Sequence, residues 1–309
     1  MRVPISWLRD FVALPDDVKA IAERLAMLGF PVDAIERRPK ISGVVTGRIE
    51  RVEKHPNADR LLVARVAVGA DEPLTIATAA TNVASGQHIA VATVGARLPA
   101  LTIEARTMRG VASQGMMISA DELALPPEWF EDGIMQLERT IEPGLDVVEL
   151  FGLDTAVLDV EITANRPDAM SVVGLARELA ASYGVPLRLP SLANPGDRDE
   201  SPGKAPRVVI ESPDCRRFVA QRFDGVRVEQ APAWMRVRLA MTGQRPINNL
   251  VDVSNYVMLE TGQPLHFYDA ERIAGMTLVV RDAHAGETLQ TLDGVERTLG
   301  TQALVIADR

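Results

Sequence analysis

Residues 248–269 carry the groups best suited to chemistry in this chain. The stretch contains three asparagines, two aspartates and His266 around an apolar run at 256–259. Amides, carboxylates and an imidazole can orient a polar substrate or a water molecule. The combination predicts a helix or strand that carries polar groups into a pocket, with Pro264 stiffening the approach to His266. Asparagine and aspartate also cap helices and form turns, so a purely structural role stays open from these residues alone.

Two further motifs, HPNADRLLV at 55–63 and RGVASQGMMISADEL at 109–123, combine turn-forming residues with small polar groups. The first motif places a turn before an alternating strand, which a plain hairpin entry would also explain. In the second motif, Gly110 and Gly115 permit tight backbone turns beside small polar and methionine side chains. Such a surface suits an unpaired nucleotide loop, although it lacks the stacking aromatic side chains of sequence-tolerant single-strand binding proteins.

The elements that must position these residues belong to a chain of 309 residues, which is longer than one typical domain. Hydrophobic residues make up 47% and charged residues 24%, as in globular proteins. No apolar run approaches the ~20 residues that span a bilayer, and the opening MRVPISWLRDF lacks the apolar centre of a signal peptide. The single cysteine, Cys215, cannot form an internal disulfide, and four scattered histidines lack metal-ligand spacing. We therefore expect a cytoplasmic protein without a structural metal.

Charge is distributed unevenly along the chain. The formal net charge is −9, which argues against nonspecific nucleic-acid binding through a broad basic surface. Residues 40–110 nevertheless hold nine basic and six acidic residues, a net charge of +3. Residues 111–150 hold one basic and nine acidic residues, a net charge of −8. We expect a polyanion to bind on the 40–110 side.

Hydrophobic periodicity predicts helices on either side of a strand-rich region. One helix is expected over 16–29, with Asp16 to cap its start and Gly29 to end it, and another over about 171–183, with Gly184 as the stop. Between them, the alternation of apolar residues predicts strands at 62–68 and 101–106, and further short strands are expected near 44–52, 74–79 and 89–94. Later in the chain, the pattern predicts a strand at 208–210, a helix near 232–242 and strands at 277–281 and 303–307.

These elements predict an α+β multidomain protein in which a small barrel interrupts a helical module. Residues 1–39 and 151–189 would form the two halves of a discontinuous α+β module, and residues 40–150 the inserted barrel, for which an OB-fold is the leading candidate. Residues 190–206 are rich in proline and poor in apolar residues, as in a linker. Residues 207–309 would form a further α+β domain. Because the sequence stops directly after an apolar strand, ALVIADR, we expect this last domain to be incomplete.

The two barrel motifs resemble the tRNA-binding barrel that several tRNA-handling proteins carry, including methionyl- and phenylalanyl-tRNA synthetases. Three further segments resemble successive landmarks of the bacterial phenylalanyl-tRNA synthetase beta subunit. They are MRVPISWLRDFV at the start, EITANRPDAMSVVGLARELAASYGVPL at 161–187 and RPINNLVDVSNYVMLETGQPLHFYD at 245–269. The motifs occur in the right order and cover almost the whole chain.

The resemblance implies that the chain is similar to the N-terminal portion of that subunit, with a tRNA-binding barrel and an incomplete editing-type domain. In this family the aminoacylation site lies in the alpha subunit of an (αβ)₂ tetramer, and the whole enzyme attaches phenylalanine to its tRNA with ATP and Mg²⁺. The expected partners are therefore tRNA and the alpha subunit, with no membrane involved. We expect this chain to bind no cofactor by itself and to be inactive on its own.

The resemblance also implies a proofreading role for residues 248–269. A pocket shaped for phenylalanine rejects tyrosine by only ~10²-fold, because the two differ by one hydroxyl group, so a second site must hydrolyse mischarged Tyr-tRNA(Phe). In the family's editing motif, His266 would position the terminal ribose or the water, while Asn255 and Ser254 would contact the ester or the adenosine. Ser254 stands where threonine is common, and Phe267 departs from the usual HAFD pattern. Both differences change the expected pocket shape more than the chemistry.

For the barrel, we predict tRNA contacts in both motifs. The residues are Lys54, His55, Asn57, Arg60, Arg109, Ser113, Gln114, Met116 and Ser119. Two other function classes stay open. One is a stand-alone tRNA-binding or chaperone-like OB-fold protein, and the other is a hydrolase of a small aminoacyl compound that would depend on His266 and Asn255.

The segment NRPDAMS at 165–171 also resembles a site, but a structural interpretation is favoured. Asp168 or Ser171 would cap the following helix, and Arg166 would pair locally. Trp234 is likewise expected to pack the helix near 232–242.

Overall fold

A computed structural model describes residues 1–189 and 206–308. The predicted linker at 190–206 therefore lies almost entirely outside the described residues. The chain forms two compact units, the first comprising Met1–Pro190 and Val228–Leu265, and the second Ser191–Arg227 and His266–Arg309. Their secondary structure is mixed α+β, as predicted. No helix within the described ranges is long and apolar enough to cross a membrane.

Strands from both predicted halves of the discontinuous module form one antiparallel sheet in the first unit. Its order is β1 (Arg2–Pro4), β11 (Ala156–Val160) and β2 (Val32–Arg37). The accompanying helices are α1 (Ile5–Phe11), α2 (Val18–Met27) and α4 (Val172–Tyr183). These elements share one apolar core in which Trp7 and Phe30 are fully buried. The three helices therefore cover a sheet that residues far apart in sequence complete.

The ends of these helices follow the predicted signals, with one shift. Ser171 caps α4 by accepting a hydrogen bond from a backbone N–H of its first turn (3.0 Å), and Gly184 ends it in the left-handed conformation (φ 67°). Asp16 is the expected cap of α2, but Asp17 takes that position. The carboxylate of Asp16 pairs with Arg9 instead (3.1 Å).

The region 40–150 contains a nearly closed, barrel-like antiparallel sheet. Its strands are β3 (Ser42–Lys54), β4 (Leu62–Ala67), β5 (Leu74–Thr78), β6 (His88–Arg97), β9 (Gly115–Met117) and β10 (Gln136–Leu137). The main path of the sheet has the order β10–β6–β3–β4–β5, and β9 pairs with the same edge of β6 as β10. A hairpin of β7 (Arg106–Met108) and β8 (Val111–Ser113) precedes β9, and α3 (Val147–Phe151) follows β10.

The strands predicted near 44–52, 62–68, 74–79 and 89–94 are confirmed by β3, β4, β5 and β6. The strand predicted at 101–106 is wrong for most of its length. Ile103 is buried, and its backbone is bonded to Gly95 (2.7 Å) and Ala96 (2.8 Å) in a loop that folds back on the end of β6. Leu101 and Ala105, the other apolar residues of the alternating set, are exposed, so the alternation in this segment does not mark a buried strand face.

Two helices from later in the chain, α5 (Ala233–Met241) and α6 (Asn249–Thr261), belong to the first unit. The segment 248–269 thus begins as a helix, whose cap Asn248 accepts bonds from two backbone N–H groups (both 3.1 Å). This grouping differs from the predicted domain at 207–309, because α5 and α6 pack against the N-terminal residues. The domain boundaries stay a prediction.

The second unit contains a three-stranded sheet of β12 (Arg207–Ile210), β13 (Thr277–Asp282) and β16 (Leu304–Ala307). β12 runs parallel to β13, and β16 runs antiparallel to it. A separate hairpin is formed by β14 (Thr288–Gln290) and β15 (Glu296–Thr298). The three strands predicted in this part of the chain are confirmed.

An ion pair stabilises the turn after β13 in this unit. Arg281 donates two hydrogen bonds to the Glu287 carboxylate (2.8 and 2.9 Å), and the His284 N–H donates a third (2.8 Å). These bonds, chiefly those from Arg281, lower the pKa of Glu287 from 4.5 to about 2. Because the folded pKa is depressed, ionised Glu287 stabilises the fold above pH 4.5, and this contribution is lost as the pH falls through about 2.

We therefore expect the side-chain carboxyl ¹³C resonance of Glu287 to titrate with a midpoint near pH 2 in NMR spectra. Arg281→Met removes the main cause of the shift and should move the midpoint up toward 4.5. Arg297→Met is the matched control, because Arg297 pairs with Asp293 instead (2.8 Å). A midpoint near 4.5 in the unsubstituted protein would contradict this account of the turn.

Candidate functional site

The two predicted barrel motifs meet at one rim of the barrel. The loop after β3 carries His55 and Asn57, and a two-residue turn joins β7 to β8. His55 Nε2 donates to the Met108 carbonyl (2.9 Å), and Asn57 Nδ2 donates to the Arg109 carbonyl (3.1 Å). The structure thus ties together a loop and a turn that lie about fifty residues apart in sequence.

His55 is buried, with 5% of its surface exposed. Its Nδ1 accepts a hydrogen bond from the Asn57 N–H (3.0 Å), so Nε2 is the nitrogen that carries the proton. Both ring nitrogens are therefore occupied by partners within the protein. The structure gives His55 a role in holding the loop, and direct contact of His55 with tRNA stays a prediction.

Arg109 and Gly110 form the turn between β7 and β8, and both have positive φ (47° and 93°). Met108 lies opposite Val111 in the hairpin register, which is the arrangement of a two-residue type I′ turn. A left-handed conformation costs a residue with a Cβ atom roughly 1–2 kcal/mol. Arg109 therefore occupies a strained position that glycine or asparagine would ordinarily take.

Lys54, Arg60 and Arg109 are exposed at this rim. In the part of the chain that the structure describes, none of the three forms an ion pair. By contrast, Arg51, which lies earlier on β3, pairs with Glu53. The three exposed cations lie at the end of β3, in the loop that follows it and in the turn to which that loop is bonded. Exposed cations without carboxylate partners suit the phosphate groups of a nucleic acid.

Ser113 and Gln114 do not belong to the exposed rim. Their hydrogen bonds to β5 close the barrel. The Gln114 N–H donates to the Thr75 carbonyl (2.8 Å), and the Gln114 side-chain oxygen accepts from the Thr75 N–H (3.0 Å). The hydroxyl oxygen of the buried Ser113 accepts from the Ala77 N–H (3.1 Å). These bonds satisfy backbone groups that an open sheet edge would leave unpaired.

Met116 and Ser119 lie farther along the second motif. Met116 is half-buried and packs against the core. The Ser119 N–H and hydroxyl both donate to the Glu122 carboxylate, the former at 2.6 Å. Ser119 also lines a cavity of about 310 Å³ beside Glu131 and Asp132. Carboxylates repel phosphate groups, so this cavity does not favour a polyanion, and tRNA contacts of these two residues stay a prediction.

The residues of the predicted editing motif lie on α6 and beyond it. Ser254 and Asn255 are half-buried on α6, and the Ser254 hydroxyl donates to the Val251 carbonyl one turn earlier (2.7 Å). In the second unit, His266 is exposed, and its ring centroid lies 6.2 Å from that of Tyr268. Burial raises the pKa of the Tyr268 hydroxyl.

Aromatic and charged side chains anchor α6 in the first unit. Tyr256 stacks on Trp7 (4.6 Å between ring centroids) and meets Trp234 edge to face (5.4 Å). Arg238 donates to the Tyr256 hydroxyl (3.1 Å) and pairs with Asp10 (2.7 Å). Burial raises the pKa of Tyr256, which keeps the phenol neutral. The predicted packing role of Trp234 is confirmed, whereas sequence analysis missed Trp7 and Arg238 because no local pattern links them to α6.

Asp252, in the first turn of α6, is a fully buried carboxylate that sequence analysis did not single out. It accepts a hydrogen bond from the Ile247 N–H (2.8 Å), and burial raises its pKa. An aspartate in the first turn of a helix is the only sequence signal for it. Asp252 therefore fixes the approach of the chain to α6.

The segment 165–171 is structural, as interpreted. Arg166 pairs with Asp168 (2.9 Å) and Glu178 (2.8 Å), and its guanidinium carbon lies 4.8 Å from the centroid of the Phe30 ring. Among the described residues, no group of histidine, cysteine and acidic side chains is arranged to hold a metal ion.

Two regions of this chain match models of known protein domains. A model of the putative tRNA binding domain matches residues 44–146, and a model of the B3/4 domain matches residues 214–309. The phenylalanine–tRNA ligase beta subunit of Moorella thermoacetica is 44% identical over 316 residues, and the alignment covers 100% of this chain. The chain is a homologue of phenylalanine–tRNA ligase beta subunits. The resemblance inferred from the motifs is thereby confirmed.

Two other beta subunits are similar to this chain over nearly its whole length. That of Clostridium tetani is 41% identical over 310 residues, covering 100% of this chain, and that of Gloeobacter violaceus is 46% identical over 311 residues, covering 99%. This chain spans 39% of the length of each of these three relatives. Among solved structures, the C-terminal domain of Plasmodium vivax p43 aligns over 33% of this chain and 56% of its own length at 20% identity. Its TM-score of 0.25 does not establish a shared fold.

Barrel closure leads to a stability prediction for this beta-subunit homologue. Ser113→Ala would leave the Ala77 N–H without its acceptor in a buried position, so we expect the free energy of unfolding to fall by about 1–3 kcal/mol. Ser85→Ala is the matched control, because Ser85 is exposed and its side chain has no hydrogen bond among the described residues. Urea unfolding measures both variants, and equal stability of the two would show that Ser113 does not close the barrel.

Proposed function

We propose that this chain binds tRNA through the rim of its barrel and provides part of a site that hydrolyses mischarged Tyr-tRNA(Phe). The observation that carries the tRNA-binding part is the bonded rim with its exposed cations Lys54, Arg60 and Arg109. The match of residues 44–146 to the putative tRNA binding domain supports it. We further propose that the nearly closed sheet is an OB-fold and that the second matched region is an editing-type domain.

We propose that the whole enzyme is a phenylalanine–tRNA ligase that attaches phenylalanine to its tRNA with ATP and Mg²⁺. Its proposed partners are tRNA and an alpha subunit in an (αβ)₂ tetramer, and its proposed location is the cytoplasm. Relatives that align with the whole chain favour a synthetase subunit over a stand-alone tRNA-binding protein. Inactivity of this chain alone stays a prediction.

The distribution of charge favours one direction for tRNA to approach. Residues 40–110 have a net charge of +3, whereas residues 111–150 have a net charge of −8. The rim cations belong to the first range, and the residues that line the cavity beside Ser119 belong to the second, except Ala80. A polyanion would therefore bind the rim and avoid the acidic cavity.

A competition experiment tests tRNA binding. In band-shift titrations of the 309-residue chain, we expect tRNA to bind more tightly than single-stranded or duplex RNA. Lys54→Ala, Arg60→Ala and Arg109→Ala should each weaken binding and lower the slope of log K against log salt by about 1, because each would remove one phosphate contact. Arg139→Ala, an equal charge change in the acidic stretch, is the control. Equal affinity for all three nucleic acids would contradict the proposal.

The editing part of the proposal depends on α6 and on the residues that follow it. Tyr256 packs α6 against Trp7 by aromatic stacking, and Ser254 and Asn255 are half-buried on the same helix. An anchored helix holds polar groups at a defined position, which ester hydrolysis requires for orienting the ester and its attacking water. Residues 214–309, which include Ser254, Asn255 and His266, match the B3/4 domain.

A separation-of-function variant tests this role. In the full-length subunit assembled with its alpha partner, we expect His266→Ala to slow hydrolysis of Tyr-tRNA(Phe) by roughly 10²-fold, because a positioned polar group is lost. Charging of tRNA with phenylalanine should be unchanged. His284→Ala is the matched control, since His284 is also exposed and its backbone N–H, which binds Glu287, is retained. Unchanged hydrolysis by His266→Ala would rule out its editing role.

A further inference from the structure

We infer that His55 and Asn57 are positioning residues that hold Arg109 beside Lys54 and Arg60, so that the rim binds the phosphate backbone of RNA and not its bases. This inference rests on the proposed tRNA-binding function. It assigns the two residues of the first motif an indirect role, in which they act through the cation at the tip of the neighbouring hairpin.

The hydrogen bonds form a continuous path from the end of β3 to the hairpin tip. The buried His55 ring accepts from the Asn57 N–H (3.0 Å) and donates to the Met108 carbonyl (2.9 Å). The Asn57 amide then donates to the carbonyl of the next residue, Arg109 (3.1 Å). The loop therefore binds two consecutive carbonyls of the turn, which restricts both the position and the rotation of the tip.

The conformation of Arg109 needs such a restraint. A positive φ of 47° is disfavoured for a residue with a Cβ atom, and conformations of this kind persist where surrounding contacts hold them. A Cβ atom added at Gly110 would lie 3.5 Å from Asn57 Nδ2, so the Asn57 side chain is in van der Waals range of the turn. Arginine at this position is best explained by its charge, because glycine would adopt the turn without strain.

The chemistry of the rim favours phosphate as the group bound. The segments 54–61 and 106–113 contain no phenylalanine, tyrosine or tryptophan on which a base could stack, and His55 is buried. Their exposed cationic groups include Lys54, Arg60 and Arg109. Phosphate contacts position a nucleic acid without reading its sequence, so the rim would recognise the spacing of the RNA backbone.

A double-mutant cycle on the 309-residue chain tests the positioning role. The variants are Asn57→Ala, Arg109→Gly and the double substitution, and tRNA binding is measured at several KCl concentrations. Glycine suits the left-handed turn, so Arg109→Gly should retain the wild-type Tm or exceed it while lowering the salt slope by about 1. Asn57→Ala should weaken binding several-fold when Arg109 is present and have no effect on binding in the Arg109→Gly background.

Arg109→Lys keeps a charge at the tip and should keep the dependence on Asn57. Arg139→Ala removes one positive charge, as Arg109→Gly does, but it lies outside the rim. It should therefore leave both the affinity for tRNA and the salt slope unchanged. If the losses from Asn57→Ala and Arg109→Gly simply add, Asn57 does not act through Arg109 and the positioning role fails while tRNA binding stands. If the wild-type chain binds no tRNA, the proposed function fails and the positioning role fails with it.

Discussion

Closure of the barrel between β5 and residues 113–115 is the constraint on which the rest of the barrel depends. A strand edge left open exposes backbone groups that favour association with other chains. Here Gln114 binds Thr75 through both its backbone and its side chain, and Ser113 binds Ala77. Gly115 must follow, because a Cβ atom there would lie 2.7 Å from a backbone oxygen of β6. One short segment therefore joins β5 to β6 and allows the sheet to close.

Closure of the barrel also determines the position of the hairpin formed by β7 and β8. The hairpin of β7 and β8 leads directly into Ser113, so the position of its tip follows from the position of the closing segment. His55 and Asn57 then bind that tip from the opposite loop. The polar groups of the two motifs are largely used within the protein, which leaves the cations of the rim as the groups available to a partner. The tRNA binding that we propose for this rim would thus depend on hydrogen bonds within the protein.

The sequence predicted those parts of the fold whose signals are local. Alternation located β4, short strand-like segments located β3, β5 and β6, and Gly184 marked the end of α4. Elements of three residues, such as β7, β8 and β9, contain too few positions for a period to be recognised. The stacking of Tyr256 on Trp7 joins opposite parts of the chain and has no local signature. Burial of His55 was likewise invisible in its motif, so its expected contact with tRNA could not be distinguished from a holding role.

We propose that tRNA binds the rim formed by the loop after β3 and the hairpin tip at Arg109. Hydrogen–deuterium exchange of the 309-residue chain, with and without tRNA, locates the residues that tRNA protects. Protection on adding tRNA should appear at residues 54–61 and 106–111 and be absent from the acidic stretch at 121–149. Amides of the closing segment should exchange slowly in both states, because their bonds do not depend on tRNA. Protection centred on 121–149, or none at the rim while tRNA is bound, would show that tRNA does not bind the rim.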